Sequence, residues 1–415
     1  MITIYIYLFS IFFLYNISYY IVTFPLAASI AVLIRYILLP ASLMVNFDKK
    51  IYYLFSVFIF ISMCVFILRG GNGSSEVSYI FSLFFILVVF YINDLLLKRI
   101  GFNEVVKATF FSIFFVLLCL FIVTISLAIM HSNLFVLREA QVEFQLLKYF
   151  PLVNSNQLTR LVIPLMLAII FLKHQFLSLS KYKYSFYASL FFSNFIIISA
   201  LSRVGIFVVL LFYFLYFFRN AFTFKKINPK FSIALIILFF GSLYFISSYH
   251  ESLRLSNLYD AYQAFSSLDI YTQEYLTPRV RTWFASILAI KEQPILGHGI
   301  DGAYSFYELN DVVKKSPLTG DYNVITTHGG WFKILVYSGV LPFFSLLYFF
   351  YYTFNISKRS DLKGMIQTNH NSIFFFKFFV FSIFILNITG DSLGLSYTWV
   401  LFHLLYRLMT NGKKY

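Results

Sequence analysis

The chain has 415 residues, of which 60% are hydrophobic and 12% are charged, and its formal net charge is +15. Because a soluble domain carries about 25% charged residues, this composition excludes a water-soluble globule and predicts an all-α, polytopic integral membrane protein. The positive charge does not indicate a nucleic-acid partner, since no basic patch is interleaved with polar recognition residues. In a membrane protein, Lys and Arg accumulate on the cytoplasmic connections instead.

Apolar runs long enough to cross a bilayer follow one another along the chain. A hydrocarbon core about 30 Å thick requires about 20 apolar residues per helix. Runs of this kind are found at 2–19, 21–39, 51–68, 77–97, 106–130, 160–178, 184–201, 203–218, 231–249, 331–354, 372–389 and 393–410. They predict twelve transmembrane helices, or eleven if the first two runs form one helix. Residues 1–249 then hold spans one to nine, residues 250–330 form one large external loop with amphipathic helices, and residues 331–415 hold spans ten to twelve.

Basic residues fall on alternate connections between these spans. The six connections are Asp48–Lys50, Lys98–Arg99, Lys181–Lys183, Lys225–Lys230, Lys358–Arg359 and Lys413–Lys414. All of them are on one side, which the positive-inside rule assigns as cytoplasmic. The loop 250–330 carries six basic and nine acidic residues, a net charge of −3, so the rest of the chain carries +18. This contrast predicts that the loop lies on the opposite side of the membrane.

An amphipathic helix is predicted to begin in the external loop at Pro278. Thr277 is a good N-cap, proline suits the first helical position, and apolar residues then recur at helical spacing. Arg279 and Arg281 lie in the first turn, where the helix dipole disfavours cations. Arginines beside free amide donors can hold a pyrophosphate, although a solvated surface pair explains these two residues equally well. The helix is predicted to end at Gln293–Gly299, where a proline and two glycines mark a stop and a tight turn.

Two further polar residues are predicted near the external membrane surface. Arg203, within Ser202–Gly205, falls at the external end of the eighth span, where a cation is costly unless it is paired or reaches a polar cavity. Snorkelling to lipid headgroups is the alternative. His328 lies directly before the tenth span, and the N-terminus of a helix favours a neutral imidazole that can serve as a general base. An interfacial polar residue without a catalytic role is the alternative for this histidine.

Nucleotide and metal motifs are missing from the sequence. There is no GxxxxGK[ST], no GxGxxG followed by an acidic residue for a ribose, and no His and Cys cluster at metal-ligand spacing. We therefore expect no cofactor and no metal. The sequence disfavours an ATP-driven pump and a soluble nucleotide-sugar transferase, so the energy source must come with the substrate or from an ion gradient.

Taken together, three stretches resemble the O-antigen polymerase and O-antigen ligase superfamily of bacterial inner membranes. They are Ser202–Gly205, then Arg279-xxx-Trp283 running on to Pro294–Gly299, then His328 with Gly339 eleven residues later. The similarity covers about residues 193–347, and it is the combination at this spacing that is specific. Upstream of this segment, the chain is similar to the family only in hydropathy.

The resemblance implies a multi-pass membrane glycosyltransferase of the inner membrane, with its active site facing the periplasm. Such enzymes transfer a glycan from undecaprenyl diphosphate to an acceptor hydroxyl, without nucleotide and without metal. Carried over to this sequence, Arg203 and Arg279 contact the diphosphate and His328 activates the acceptor. The expected partners are the lipid-linked oligosaccharide, the bilayer, and a chain-length regulator and a flippase of the same pathway.

Three more residues complete the predicted substrate site for diphosphate and glycan. Arg281 is a reserve contact for the diphosphate, and Trp283 belongs to the motif itself. Tyr304 is one of several loop tyrosines whose rings can stack on sugars, although interfacial aromatics or a loop core explain these tyrosines at least as well.

The sequence favours a polymerase over a ligase within this superfamily. Ligases usually have Asn, Ser or Gln after the motif histidine, where this chain has Gly329. They usually have Gly, Thr or Tyr three residues after the later glycine, where this chain has Pro342. A non-enzymatic flippase for the same lipid-linked unit is a further alternative, but a flippase does not require a large external loop and usually places charges midway through its helices.

Overall fold

The computed structural model describes residues 5, 7–8, 49–70, 74–130, 155–200, 202–217, 278–309, 330–355, 370–388 and 396–411. Every regular element in these ranges is helical, which confirms the predicted all-α class. The spans predicted at 21–39 and 231–249 lie outside the described residues. The same holds for most of the span at 2–19 and for the loop segments 250–277 and 310–329.

The described helices follow the predicted apolar runs closely. In chain order, α1 to α12 are Lys49–Leu68, Ser74–Ile100, Phe102–Met130, Ser155–Gln175, Lys183–Ser199, Arg203–Phe217, Pro278–Glu292, Gly299–Leu309, Gly330–Ser338, Val340–Phe354, His370–Ile388 and Ser396–Asn411. A 3-10 helix, Leu177–Tyr182, joins α4 to α5.

Several helices are suited to a lipid environment. Segments of α1, α2 and α3 are long and apolar enough to cross a membrane, at Lys49–Leu68, Tyr79–Ile100 and Phe102–Ile129, and α6, α10 and α11 contain shorter apolar stretches. Large apolar side chains such as Phe60, Phe81 and Ile129 are exposed on the outside of the bundle. A water-soluble surface rarely carries so much apolar area, so the structure supports a membrane protein.

Two helices form the centre of the bundle. The residues from Leu161 to Leu172 of α4 and from Thr398 to Thr410 of α12 are buried without interruption. The two helices contact each other; α4 also packs against α3, α5, α6 and α11, and α12 against α2 and α11. Residues 161–172 of α4 are apolar on all sides, which suits such a position because the helix has no face that prefers water or lipid headgroups. Helix α12 also buries the polar side chains of His403 and Arg407 there.

Three of the six basic connections, those that the structure describes, lie together at one end of the bundle. Tyr52, near the start of α1, donates a hydrogen bond of 2.6 Å to Asp94, near the end of α2, so these helices are antiparallel. Gly101 alone separates α2 from α3, and Phe111, early in α3, packs against Tyr182, just before α5, with ring centroids 4.8 Å apart. This arrangement brings together three of the predicted cytoplasmic connections, Lys49–Lys50, Lys98–Arg99 and Lys181–Lys183.

A buried polar cluster holds α2 and α12 together near this end. Arg407 of α12 donates to Asp94 of α2 at 2.7 Å and to His403 at 3.2 Å. All three side chains are buried, and the His403 ring stacks on Phe90 with centroids 4.3 Å apart. A charge in the interior of a membrane bundle is costly unless it is paired, and here the aspartate and the arginine neutralise each other.

The opposite end of the bundle, which we name the motif end, holds the segments singled out in the sequence. Arg69, directly after α1, contacts the carbonyl groups of Leu296 and Tyr337. Thr159, near the start of α4, lies against Gly205, near the start of α6. The ends of α1 and α5 and the starts of α4, α6 and α10 therefore meet here, together with α7, α8 and α9 of the predicted loop region.

The apolar run predicted as one span at 331–354 forms two helices. Helix α9 ends at Ser338 and α10 begins at Val340, and the residue between them, Gly339, has φ +78°. A left-handed φ ends an α-helix and is accessible to glycine at little cost. Hydropathy misses the interruption, because the residues on both sides of Gly339 are equally apolar.

Candidate functional site

The predicted site residues lie on separate elements. Arg203 is the first residue of α6, Arg279 and Arg281 are in the first turn of α7, and Trp283 follows on the same helix. Tyr304 lies on α8. His328 is outside the described residues, two positions before α9. The structure thus gives each arginine a place on its helix, and the roles of all six residues remain predictions.

A close helix contact fixes the start of α6, where Arg203 lies. The hydroxyl of Ser202 accepts a hydrogen bond from the amide of Gly205 at 3.4 Å, and the carbonyl of Ser202 accepts from Ile206 at 2.8 Å, so Ser202 is the N-cap. A side chain at position 205 would overlap the methyl group of Thr159 on α4. The glycine of the Ser-Arg-Val-Gly segment therefore allows α6 to approach α4 directly after the arginine.

Helix α7 begins and ends where the sequence predicts. Its first residue is Pro278 and its last is Glu292. One face buries the small residues Ala285, Ser286 and Ala289, and the two alanines join Ala303 and other residues of α8 and α9 in a second apolar core. Small side chains allow these short helices to pack closely, so the helix that carries Arg279 and Arg281 is fixed against α9.

The segment after α7 is docked onto the interruption between α9 and α10. The amide of His298 donates to the carbonyl of Val336 at 2.7 Å, and the amide of Val340 donates to the carbonyl of Pro294 at 2.9 Å. These two bonds join the Gln293–Gly299 segment to the last turn of α9 and the first residue of α10. The sequence predicted Gln293–Gly299 only as a helix stop and a tight turn. In the structure this segment is also a contact surface for a second helix.

Two motif glycines are required at this contact. Gly297 has φ +64° and Gly339 has φ +78°. A Cβ atom at Gly297 would lie 2.7 Å from the carbonyl oxygen of Val336, and one at Gly339 would overlap the carbonyl of Ile295. Both positions therefore need the left-handed backbone and the missing side chain of glycine.

His298 ties the same segment back to α7. Its Nε2 atom lies 2.8 Å from the carbonyl oxygen of Ala289, and its ring packs beside Phe306 of α8 with centroids 5.1 Å apart. The carboxylate of Glu292 is 4.0 Å away. These contacts assign His298 a structural part in the turn.

Arg69 is a member of this arrangement that sequence reasoning missed. Its Nη1 atom donates to the carbonyl of Leu296 at 3.0 Å and to that of Tyr337 at 2.7 Å. The two acceptors are 227 and 268 residues away along the chain. In the sequence, Arg69 follows an apolar run and precedes two glycines, a pattern typical of any membrane-proximal cation, so no local signal indicated these partners.

The entry to α9, directly after His328, is also closely packed. A side chain at Gly330 would overlap the amide group of Asn387 on α11, and the indole of Trp331 donates to the carbonyl of Phe384 on the same helix at 3.1 Å. Gly330 and Trp331 thus fix the point at which the chain passes from His328 into α9.

Among the described residues, no three His, Cys, Asp or Glu side chains lie together in a group suited to a metal ion.

A comparison with known protein families found a match to the segment that contains Arg203, α7 and α9. Residues 188–347 match the family model described as O-antigen ligase. This match supports the resemblance of the chain to the O-antigen polymerase and ligase superfamily. Members of this superfamily are membrane enzymes of the glycosyltransferase type. No curated protein matches the chain.

The part that matches the O-antigen ligase model runs from α5 to α10. It includes Arg203, the arginine helix α7, the docked turn, His328 and Gly339. The sequence-based resemblance, which covered about residues 193–347, is therefore confirmed at nearly the same boundaries. Arg69 lies outside the matched segment but contacts it at two carbonyl groups.

Proposed function

We propose that the chain is an O-antigen polymerase on the periplasmic face of the inner membrane. It transfers the growing glycan from undecaprenyl diphosphate to the next lipid-linked repeat unit. The observation that carries the proposal is the family match over residues 188–347, in which the helix bearing Arg279 is docked to the helix that follows His328. This docking of the turn after α7 onto α9 and α10 at the motif end supports the proposal.

In this reaction an acceptor hydroxyl attacks the anomeric carbon of the donor glycan. The bond between that carbon and the diphosphate oxygen breaks, undecaprenyl diphosphate leaves with the bonding electrons, and His328 takes the proton of the hydroxyl. Arg203 and Arg279 neutralise the charge that develops on the leaving group, with Arg281 as a further contact. A diphosphate held in this way is a good leaving group without a metal.

Pro342 supports a polymerase rather than a ligase. It is the third residue of α10 and it is buried, at a point where a helix does not require an amide partner and therefore accepts proline. Ligases of the superfamily usually have Gly, Thr or Tyr at this position. A ligase nevertheless remains the second candidate, because the matching family model is described as O-antigen ligase.

The surface polysaccharide of a strain from which the gene has been deleted tests the proposal. Loss of a polymerase leaves lipid A-core that carries a single repeat unit. Loss of a ligase leaves bare core and accumulates lipid-linked polymer, and loss of a flippase leaves bare core with unpolymerised lipid-linked units. A single repeat unit on the core, restored to a full ladder by the wild-type gene, is the expected result; bare core would contradict the proposal.

A further inference from the structure

Arg69 connects three parts of the molecule that are distant in sequence. It follows the last turn of α1, contacts Leu296 in the turn after α7, and contacts Tyr337 at the end of α9. We propose that Arg69 is a positioning residue for glycan transfer, which locks the helix of Arg279 to the helix that begins two residues after His328. This proposal rests on the proposed function and adds a residue that lies outside the matched segment.

The end of α9 explains why a cation is needed at this place. The last carbonyl groups of an α-helix have no partner within the helix. At α9, the carbonyl of Leu335 accepts from Gly339 at 2.9 Å and that of Val336 from His298 at 2.7 Å. The carbonyl of Tyr337 accepts from Arg69, and a positive charge is favourable at a helix C-terminus.

A single nitrogen atom makes both contacts. Nη1 of Arg69 carries two hydrogens, so it can donate to Leu296 and to Tyr337 at the same time. One guanidinium nitrogen thereby holds the turn after α7 and the end of α9 at a fixed separation. A shift that moves the two carbonyl groups apart lengthens at least one of the two bonds.

The position of Arg69 itself is fixed by the end of α1. Its amide donates to Val65 at 3.1 Å, and the amide of Gly70 donates to Ile67 at 2.9 Å. Helix α1 in turn packs along α10 and α2. The guanidinium is therefore held in place by α1, a helix of the membrane bundle. Through it, α1 also restrains the turn after α7 and the end of α9.

The fold does not depend on Arg69 alone. The main-chain bonds from His298 to Val336 and from Val340 to Pro294 join the same two segments, and they remain when the side chain is removed. We therefore expect a variant at position 69 to fold and to lose precision at the site. A misplacement of about 1 Å can cost about 100-fold in rate when reacting groups must be aligned.

Lysine distinguishes Arg69 from the arginines that are predicted to bind diphosphate. Because both carbonyl groups accept from one nitrogen, a single ammonium group can supply both donors in Arg69→Lys. The lysine side chain is one bond shorter, so we expect it to restore the contact in part. A planar two-point contact to a diphosphate, as predicted for Arg279, cannot be made by lysine. Substitution by lysine should thus be tolerated better at position 69 than at position 279.

The experiment compares Arg69→Met, Arg69→Lys and the control Lys291→Met, which removes an exposed cation from α7. Purified variants extend an undecaprenyl-diphosphate-linked repeat unit, and kcat and KM are measured separately. We expect Arg69→Met to lower kcat about 100-fold with little change in KM, Arg69→Lys to recover part of the lost kcat, and Lys291→Met to match the wild type. An unchanged kcat in Arg69→Met would overturn the proposal, as would a raised KM that lysine does not restore.

Hydrogen exchange tests the positioning role of Arg69 independently of the proposed polymerase function. In Arg69→Met, amides in the segments 293–299 and 335–341 should exchange at least about tenfold faster than in the wild type, while those of 161–172 in α4 stay unchanged. This measurement needs no substrate. If the wild type does not extend glycans, the proposed function fails, and unchanged exchange at both segments would independently exclude the lock.

Discussion

Arginine serves two different chemical purposes in the described structure, and a third is proposed. Arg407 is buried and neutralises Asp94 between two membrane helices. Arg69 donates to main-chain carbonyl groups at the end of a helix. Arg203 and Arg279 lie at helix starts, where amide donors and guanidinium groups together suit a diphosphate. The surroundings of each arginine therefore decide how it should respond to substitution.

The first prediction concerns Arg279. Arg279→Lys should strongly shorten the polysaccharide ladder, because an ammonium group lacks the planar pair of donors that grips a diphosphate. Lys314→Ala, which removes a cation of the same loop with no predicted role, should leave the ladder at full length. Both are measured in complemented deletion cells at matched protein levels. Full-length ladders from Arg279→Lys would show that the planar contact is dispensable.

The second prediction concerns His328. Both His328→Ala and His328→Gln should insert normally but extend chains about 10²–10⁴-fold more slowly, since neither side chain can take the proton of the acceptor. Glutamine keeps the hydrogen-bonding capacity of the imidazole and so tests for a merely polar role. The rates are measured with purified protein and lipid-linked repeat units. Near-normal extension by both variants would move the search for the base to Glu274, Asp301 and Asp391.

At the scale of elements, the interruption between α9 and α10 organises the site. It exposes main-chain groups that the turn after α7 and Arg69 then satisfy, whereas a continuous helix would offer none of them. At membrane depth, irregular backbone is tolerated only where it is buried in protein or lines a water-filled cavity. The interruption therefore provides the main-chain groups to which the turn after α7, the helix of Arg279 and Arg281, is bonded.

The third prediction tests this interruption with two glycines. Gly339→Ala should destabilise the protein by at least about 1–2 kcal/mol, since alanine must adopt a left-handed conformation and its Cβ would overlap Ile295. Gly302→Ala in α8 is the matched control, because its Cβ would make an ordinary contact of 3.6 Å with His298; it should be neutral or stabilise by about 0.5–1 kcal/mol. Thermal unfolding of the purified variants measures both, and equal stability of the two would contradict this description of the interruption.

Sequence patterns predicted some elements of the site well and others not at all. The bounds of α7 followed from Pro278 and from the Gln293–Gly299 segment, because both signals are local and chemical. The interruption at Gly339 lies within a uniformly apolar run, so hydropathy contains no sign of it. Arg69 could not be assigned because its acceptors are main-chain carbonyl groups, which every residue possesses.

At the scale of the whole molecule, the bundle separates two chemically different ends. Three basic connections meet at the end near Asp94, and the motif end carries Arg69 and the docked helices of the loop region. The buried pair of Asp94 and Arg407 was likewise hidden in the sequence, because each residue lies near a predicted connection and its partner is 313 residues away.

The fourth prediction concerns orientation in the membrane. Reporter fusions at Asp269 and Asp311 should indicate the periplasm, and fusions at Lys226 and Lys358 the cytoplasm, because the basic connections stay on the cytoplasmic side. A cytoplasmic result at Asp311 would reverse the orientation and remove the proposed site from the periplasm.

Transfer by the purified protein is the most direct measurement of the central claim. The protein is reconstituted with an undecaprenyl-diphosphate-linked repeat unit in the presence of a metal chelator and without nucleotide. The proposed function predicts a ladder of lipid-linked products and the release of one undecaprenyl diphosphate for each new linkage. Absence of extension until nucleotide or metal is added, or transfer only when lipid A-core is supplied as acceptor, would contradict it.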